Sequence, residues 1–381
     1  VVDKIEECAI FCQPLGADCQ LRHPSPAGEL NPFKKMSTFF AERLRSARKM
    51  KCLSLDALCL ACDGIVSKQA LSKYERGAMK PSSKVLIALS NAFEVSPDYF
   101  IKPPTISFDS IEFRKRKSFS PKKLDSIREI VRYDIEKYVE IEDILGINPE
   151  IPKMKKIPVQ KKEDVENAAK EIRKRWKLGE AGIVNVISIL EENGIKVILL
   201  NDEKKMDGMS CFANGVPVII LNRSGNVERD RFTALHELGH LILDFADSFS
   251  EEEQEHLCHL FANEMLIPKS LFLEIIGRKR KNIDMSELKD IQNNFGISVD
   301  ALMFKAKENE VISEQSYRRY FILRRQKKLE IADQSNALEE TPTRFERLVH
   351  RGIASDVLSL SKASELLEKP LGIVRDQVSL L

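Results

Sequence analysis

RDRFTALHELGHLIL, residues Arg229 to Leu243, decides the reading of this chain. Phe232, Leu235, Leu238, Leu241 and Ile242 recur at helical spacing and make the stretch apolar on most sides. Set into it are His236, Glu237 and His240. Two histidines at i and i+4 share one helix face, so both imidazoles reach a single metal ion. Glu237 sits beside them, where it can take a proton from a water as general base. With 6 His and 58 acidic residues in 381, chance supplies such a pattern roughly 0.01 times, so accident is a poor account. The plain alternative is a surface helix with two solvated histidines. The apolar flanks oppose it, because buried imidazoles need partners. Gly239 is costly inside a helix and makes sense where another part of the chain approaches closely.

Two histidines leave a metal undersaturated. A second helix, Glu251 to Ile267, offers Glu251, Glu252, Glu253, Glu255, His256, His259 and Glu264. Glu255, Cys258, His259 and Ala262 fall on one stripe, and Cys258 and Ala262 are small enough to let it approach the first helix. Glu255 is the first choice as third ligand. His259 is the second, or else orients Glu255 or a substrate carbonyl, against the simpler reading of a hydrogen-bonded core histidine. Cys258 reads as packing. A His2Glu set binds Zn2+, and Mn2+ or Fe2+ as well.

Working outward, IKVILL (Ile195 to Leu200) reads as a buried strand. SCFA (Ser210 to Ala213), Asn214-Gly215 and VPVIIL (Val216 to Leu221) read as a hairpin. The metal-bearing helix is expected to run from about Glu228 to Phe245, and everything beyond Pro268 reads as helical. DGMSCFANGVPVIILN, RDRFTALHELGHLIL and EHLCHLFANEMLIP together resemble the ImmA/IrrE family of metallopeptidases over roughly residues 165–310. The resemblance implies a zincin-like α+β domain, metal ligands at His236, His240 and Glu255, and a catalytic glutamate at Glu237. It also implies a protein substrate, such as a repressor with a helix-turn-helix.

Toward the N-terminus, residues 37–100 read as five short helices. Phe39, Leu44 and Ala47 start an apolar stripe, with Arg43, Arg45 and Arg48 outside it. This region resembles the Cro/repressor-like (XRE) helix-turn-helix family, through VSKQALSKYERG (Val66 to Gly77) above all. A capped helix of that length fits the major groove. The resemblance places Lys68, Gln69, Ser72 and Lys73 at the DNA, with Leu71 and Tyr74 in the core; Gln69 suits adenine and Lys73 suits guanine or phosphate. Residues 36–100 hold ten basic against six acidic side chains, a modest net of +4. One departure weakens the match. The second helix usually opens with a phosphate-touching Gln, and Leu55 followed by Asp56 stands there. The same fold also serves as a protein-binding module. Cys59 and Cys62 read as core thiols.

The expected organisation is a poorly ordered leader (1–35), a helix-turn-helix domain (36–103), a helical connector (104–160), a metallopeptidase domain (161–310) and a helical extension (311–381). The fold class is mainly α with a small β-sheet. In the leader, Cys8, Cys12, Cys19 and His23 follow no common zinc-finger spacing. In the connector, Leu124, Ile127, Val131, Ile135 and Val139 step along a helix from Pro121 to Leu145 and give it one packing side. The extension carries a basic cluster, Arg318, Arg319, Arg324, Arg325, Lys327 and Lys328, which reads as a solvated face.

A formal net charge of +2 excludes a globally basic nucleic-acid binder but not a basic domain. No apolar run reaches the roughly 18 residues of a membrane span. Eight Cys in 381 residues are no disulfide scaffold, so the expected setting is cytoplasmic with reduced thiols. The expectation is a DNA-binding regulator fused to a zinc endopeptidase, with DNA and a protein substrate as partners, no membrane, and a homodimer as a further expectation. Two alternatives stand beside it: a regulator whose peptidase-like domain senses a ligand or partner without turnover, and an antitoxin-like binder of a partner protein.

Overall fold

A computed structural model describes residues 32–106, 111–113, 120–147, 156–200, 207–326 and 338–379. Helix α1 (Pro32–Met50) begins inside the stretch expected to be leader, with proline at the first position, where its missing N–H costs nothing. Helices α2 (Leu55–Ala61), α3 (Lys68–Glu75) and α4 (Ser83–Phe93) each start behind a serine, Ser54, Ser67 and Ser82, whose hydroxyl accepts a first-turn N–H. A 3-10 turn (Pro97–Phe100) follows. Leu44, Leu58, Leu71, Leu89, Phe93 and Phe100 form the core of this unit.

Strand β1 (Ile111–Phe113) leads to helix α5 (Pro121–Ile144), and strand β2 (Ile157–Val159) to α6 (Lys162–Arg175) and α7 (Val186–Glu192). Then come β3 (Lys196–Leu200), β4 (Gly208–Ala213) and β5 (Val216–Asn222), helix α8 (Val227–Ile242), strand β6 (Leu243–Phe245) and helix α9 (Glu251–Leu266). Helices α10 (Lys269–Ile276), α11 (Met285–Phe295), α12 (Val299–Glu308), α13 (Glu314–Arg325), α14 (Arg344–Ala354), α15 (Leu360–Leu367) and α16 (Leu371–Ser379) complete the chain. The fold is thus mainly α with a small sheet.

The sheet order is β1-β4-β5-β3. β4 and β5 form the expected hairpin, with Asn214 (φ 53°) and Gly215 (φ 82°) both left-handed, as a type I′ turn requires. Strand alternation splits the sheet between two cores. Met209, Cys211, Val218 and Ile220 face α5, while Ile219 and Leu221 join the larger core with α8. Helix α8 stops at Ile242, three residues before the expected end. Leu243 turns extended (ψ 132°), and β6 pairs in parallel with β2. That ladder joins residues some 85 positions apart, which local periodicity does not report.

Two expectations need correcting. Arg43 does not lie outside the apolar stripe: it is 4% exposed. Its guanidinium donates to the Lys102 and Pro103 carbonyls and pairs with Glu136 of α5 at 2.6 Å. Nor does α5 pack on one side alone. Ile127, Val131 and Ile135 meet the sheet, Tyr133 meets the helix-turn-helix core, and Tyr138 and Ile141 meet α14 and α15. Truncating one partner of a buried pair such as Arg43–Glu136 costs about 3–5 kcal/mol. The N-terminal unit is therefore seated on α5 and not loosely tethered to it.

Candidate metal centre and DNA-facing helix

Helix α8 presents His236 and His240 from one face, and α9 crosses it so that Glu255 reaches both. His236 Nε2 and His240 Nε2 lie 3.0 Å apart, with Glu255 carboxylate oxygens 3.1 and 3.2 Å from them. The imidazoles are buried and the Glu255 side chain is half exposed. Hydrogen bonds with His236 and then His240 hold the Glu255 carboxyl well below the usual carboxylate range. Among the described residues this is the one group of three or more such side chains that could hold a metal ion. The geometry passes a simple test of fit. Ligands about 2.0–2.1 Å from a tetrahedral zinc stand roughly 3.4 Å from one another, close to the separations found. Three lone-pair donors converging this tightly are also hard to explain by hydrogen bonding alone.

The close approach depends on small residues. A Cβ added at Gly239 would meet Phe261 at 3.2 Å and the Cys258 sulfur at 3.4 Å, which accounts for a glycine inside the helix. Cys258 and Ala262 are fully buried at the crossing. Cys258 does more than pack: its Sγ lies 3.2 Å from His240 Nδ1, a contact that fixes how the ring is turned.

Glu237 is 1% exposed. The Ser210 hydroxyl of β4 donates to Glu237 Oε2 at 2.9 Å. Motif spacing alone does not single out Ser210 as a site residue. The available signal was alternation: Ser210 falls on the strand face opposite Met209 and Cys211, a lone hydroxyl in an apolar strand. Gly208, one step back on that face, lets β4 approach, since a Cβ there would stand 2.6 Å from Thr233 and 3.1 Å from Glu237.

His259 is not brought into the ligand triangle. Its ring lies against His236, centroids 4.6 Å apart, and against Phe232 at 5.8 Å. Two cavities adjoin the centre. One, of about 330 Å3, is lined by Ser210, Phe212, His240 and Gln254. The other, of about 650 Å3, is lined by Phe232 and His259 together with residues of α12 and α13.

On α3, Lys68, Gln69 and Lys73 are exposed, Ser72 is half-buried, and Leu71 and Tyr74 are in the core. Ser67 caps the helix by accepting from Ala70 N–H. Lys68 is engaged by Asp56, Nζ to Oδ2 2.7 Å. Arg45 and Arg48 are directed at Glu75, Arg48 through two bonds of 2.6 and 3.0 Å. Cys62 is buried and Cys59 donates to the Val66 carbonyl. The Cys8, Cys12, Cys19 and His23 group lies outside the described residues. No helix among the described residues is long and apolar enough to cross a membrane.

Family models match two parts of the chain. Residues 44–100 match a helix-turn-helix family, and residues 190–307 match the IrrE N-terminal-like domain of peptidase family M78. No curated protein matches the chain. The second match spans β3 through α12 and contains His236, Glu237, His240 and Glu255; the first contains α2 to α4. The chain therefore carries, in this order, an XRE-type helix-turn-helix domain and an IrrE-like peptidase domain, the composition of a DNA-binding regulator with a peptidase-like part.

Proposed function

We infer that the protein is a DNA-binding regulator whose second domain is a zinc-dependent endopeptidase acting on a protein, such as a repressor with a helix-turn-helix. One observation carries this reading: His236, His240 and Glu255 converge within 3.2 Å of one another, with Glu237 buried beside them. These three side chains would hold one ion, which when bound supplies Lewis acidity and a water acidic enough to react near neutral pH. The chain's own residues do the proton work. Glu237 takes a proton from the attacking water and passes it to the departing amide nitrogen. Ser210 holds one Glu237 oxygen and so helps to orient the carboxylate. Cys258 and His259 fix the two ligand imidazoles from outside.

Lys68, Gln69, Ser72 and Lys73 of α3 are proposed to meet DNA, with Gln69 and Lys73 reading base edges. The domains at 36–103 and 161–310 form the two working parts, and α5, from the segment 104–160, joins them. The test is Glu237→Gln in the full chain, co-expressed with candidate repressors. The variant should keep its metal and melting temperature and lose about 10²–10⁴-fold in cleavage rate, because an amide cannot accept the proton. Cleavage at the parental rate removes Glu237 as the base.

A further inference from the structure

The larger cavity beside the metal centre has no part in holding the ion or moving a proton. It opens from Phe232, one turn before His236 on α8, and from His259, one turn after Glu255 on α9. Its remaining apolar wall is Ala301 and Phe304 of α12 and Tyr317 and Phe321 of α13. At about 650 Å3 it falls within the range of small-ligand pockets, ample for one large side chain. Two arginines stand at the cavity, and both are already paired. Arg229 makes two bonds of 2.8 Å to Asp207, and Arg324 pairs with Asp300, which also accepts from the Tyr320 hydroxyl at 2.7 Å. A charged guest would have to displace one of these pairs, whereas an apolar guest meets Phe232, Phe304, Tyr317 and Phe321.

We propose that this cavity is a specificity pocket that takes one large apolar or aromatic side chain of a peptide lying across the metal centre. The proposal rests on the peptidase reading for its catalytic meaning, but the pocket itself is a peptide-binding site with or without turnover. Its position supports this. The cavity reaches His259, whose ring lies against the ligand His236, and a second, smaller cavity is lined by the ligand His240 and by Ser210, so a chain at the centre has room beside it. The far wall comes from α13, beyond the 190–307 family match. Substrate choice would then be set by a helix outside the matched domain.

The test uses the full chain carrying Glu237→Gln and loaded with zinc, exposed to a randomised hexapeptide library. Retained peptides should share Phe, Tyr, Trp, Leu or Met at one position. A Phe peptide should bind at least about tenfold tighter than its Ala counterpart by calorimetry, the scale expected for burying one such side chain. Ala301→Trp, which fills the cavity, should bring that ratio below about twofold with zinc content unchanged. Phe321→Ala, which removes part of the far wall, should lower the ratio less. Retention of no peptide, absence of a positional preference, or a ratio unmoved in both variants overturns the pocket. Cleavage by the chain with Glu237 intact is scored separately. If the selected peptides bind with the predicted ratio and stay uncut, the pocket stands and the peptidase reading falls.

Discussion

Helices α3 and α8 each carry a polar motif, and they hold it in opposite ways. On α3, Lys68, Gln69 and Lys73 point to solvent while Leu71 and Tyr74 anchor the helix. On α8, the polar residues are the buried ones, and every one is held by another element: His236 by Glu255 and His259, His240 by Cys258, Glu237 by Ser210. An outward motif can lose a residue and keep its neighbours in place. An inward motif is a set of mutual contacts, so a change on α9 or β4 should be felt on α8. The comparison predicts large effects of partners at α8 and small ones at α3.

The largest expected effect is at the third ligand. Glu255→Ala should lower metal affinity by more than about 100-fold, because partners outside the ligand set already cost 10–100-fold when removed. Metal per chain after dialysis, measured by elemental analysis, reads this out. His259→Ala should retain most of the metal. The reverse ranking would move the ligand to His259 and dissolve the inward geometry described for α8.

The same contrast explains what was legible beforehand. Both helices, the hairpin at Asn214-Gly215 and the pairing of His236 and His240 follow from local periodicity and turn chemistry. Glu255 could be singled out because small residues on its stripe permit close approach. Ser210 could not be ranked as a site residue from spacing, since its partner lies 27 positions away on another element. Arg43 escapes local periodicity for a related reason: a charged residue on α1 becomes interior once α5 supplies Glu136 and the chain after Phe100 supplies two carbonyls. The strands β2 and β6 each span three residues, too short for alternation to declare them. The segment beyond residue 311 reads from the sequence only as a helical extension with a basic cluster, and nothing in its spacing says that Tyr317 and Phe321 of α13 line the cavity beside the centre. In each case the missing information was a contact between distant parts of the chain.

Ser210→Ala sharpens the inward side of the comparison. Removing the hydroxyl leaves the ligands untouched and takes away one contact that orients Glu237. Cleavage should fall about 10–100-fold through kcat, with KM and bound metal little changed. Ser210→Thr should recover part of the rate, since it restores a hydroxyl. Loss of metal in Ser210→Ala would show that β4 supports the centre as a whole and not Glu237 in particular.

On the outward side, Gln69→Ala with Lys73→Ala should weaken operator binding by about 10–100-fold, the range for losing one or two base contacts. Metal content and cleavage of a short peptide should not change. A loss of bound metal in this double variant would break the comparison, because it would make α3 as dependent on its surroundings as α8.

The smallest effect tests whether α3 is truly outward. Asp56, in the first turn of α2, engages Lys68 at 2.7 Å, with both side chains well exposed. An exposed pair of this kind contributes little to folding, so Asp56→Asn should leave the melting temperature almost unchanged. At the DNA surface the same change removes a negative charge near phosphates and releases the Lys68 ammonium to meet one. Affinity for DNA should rise by up to about fivefold, and the slope of log K against log salt should steepen by about 0.9, the share of one added phosphate contact. The steepening is the decisive reading, because a gain in affinity alone could come from less repulsion without a new contact. An unchanged slope together with unchanged affinity would place Lys68 away from the DNA and leave Gln69 and Lys73 to carry the interface.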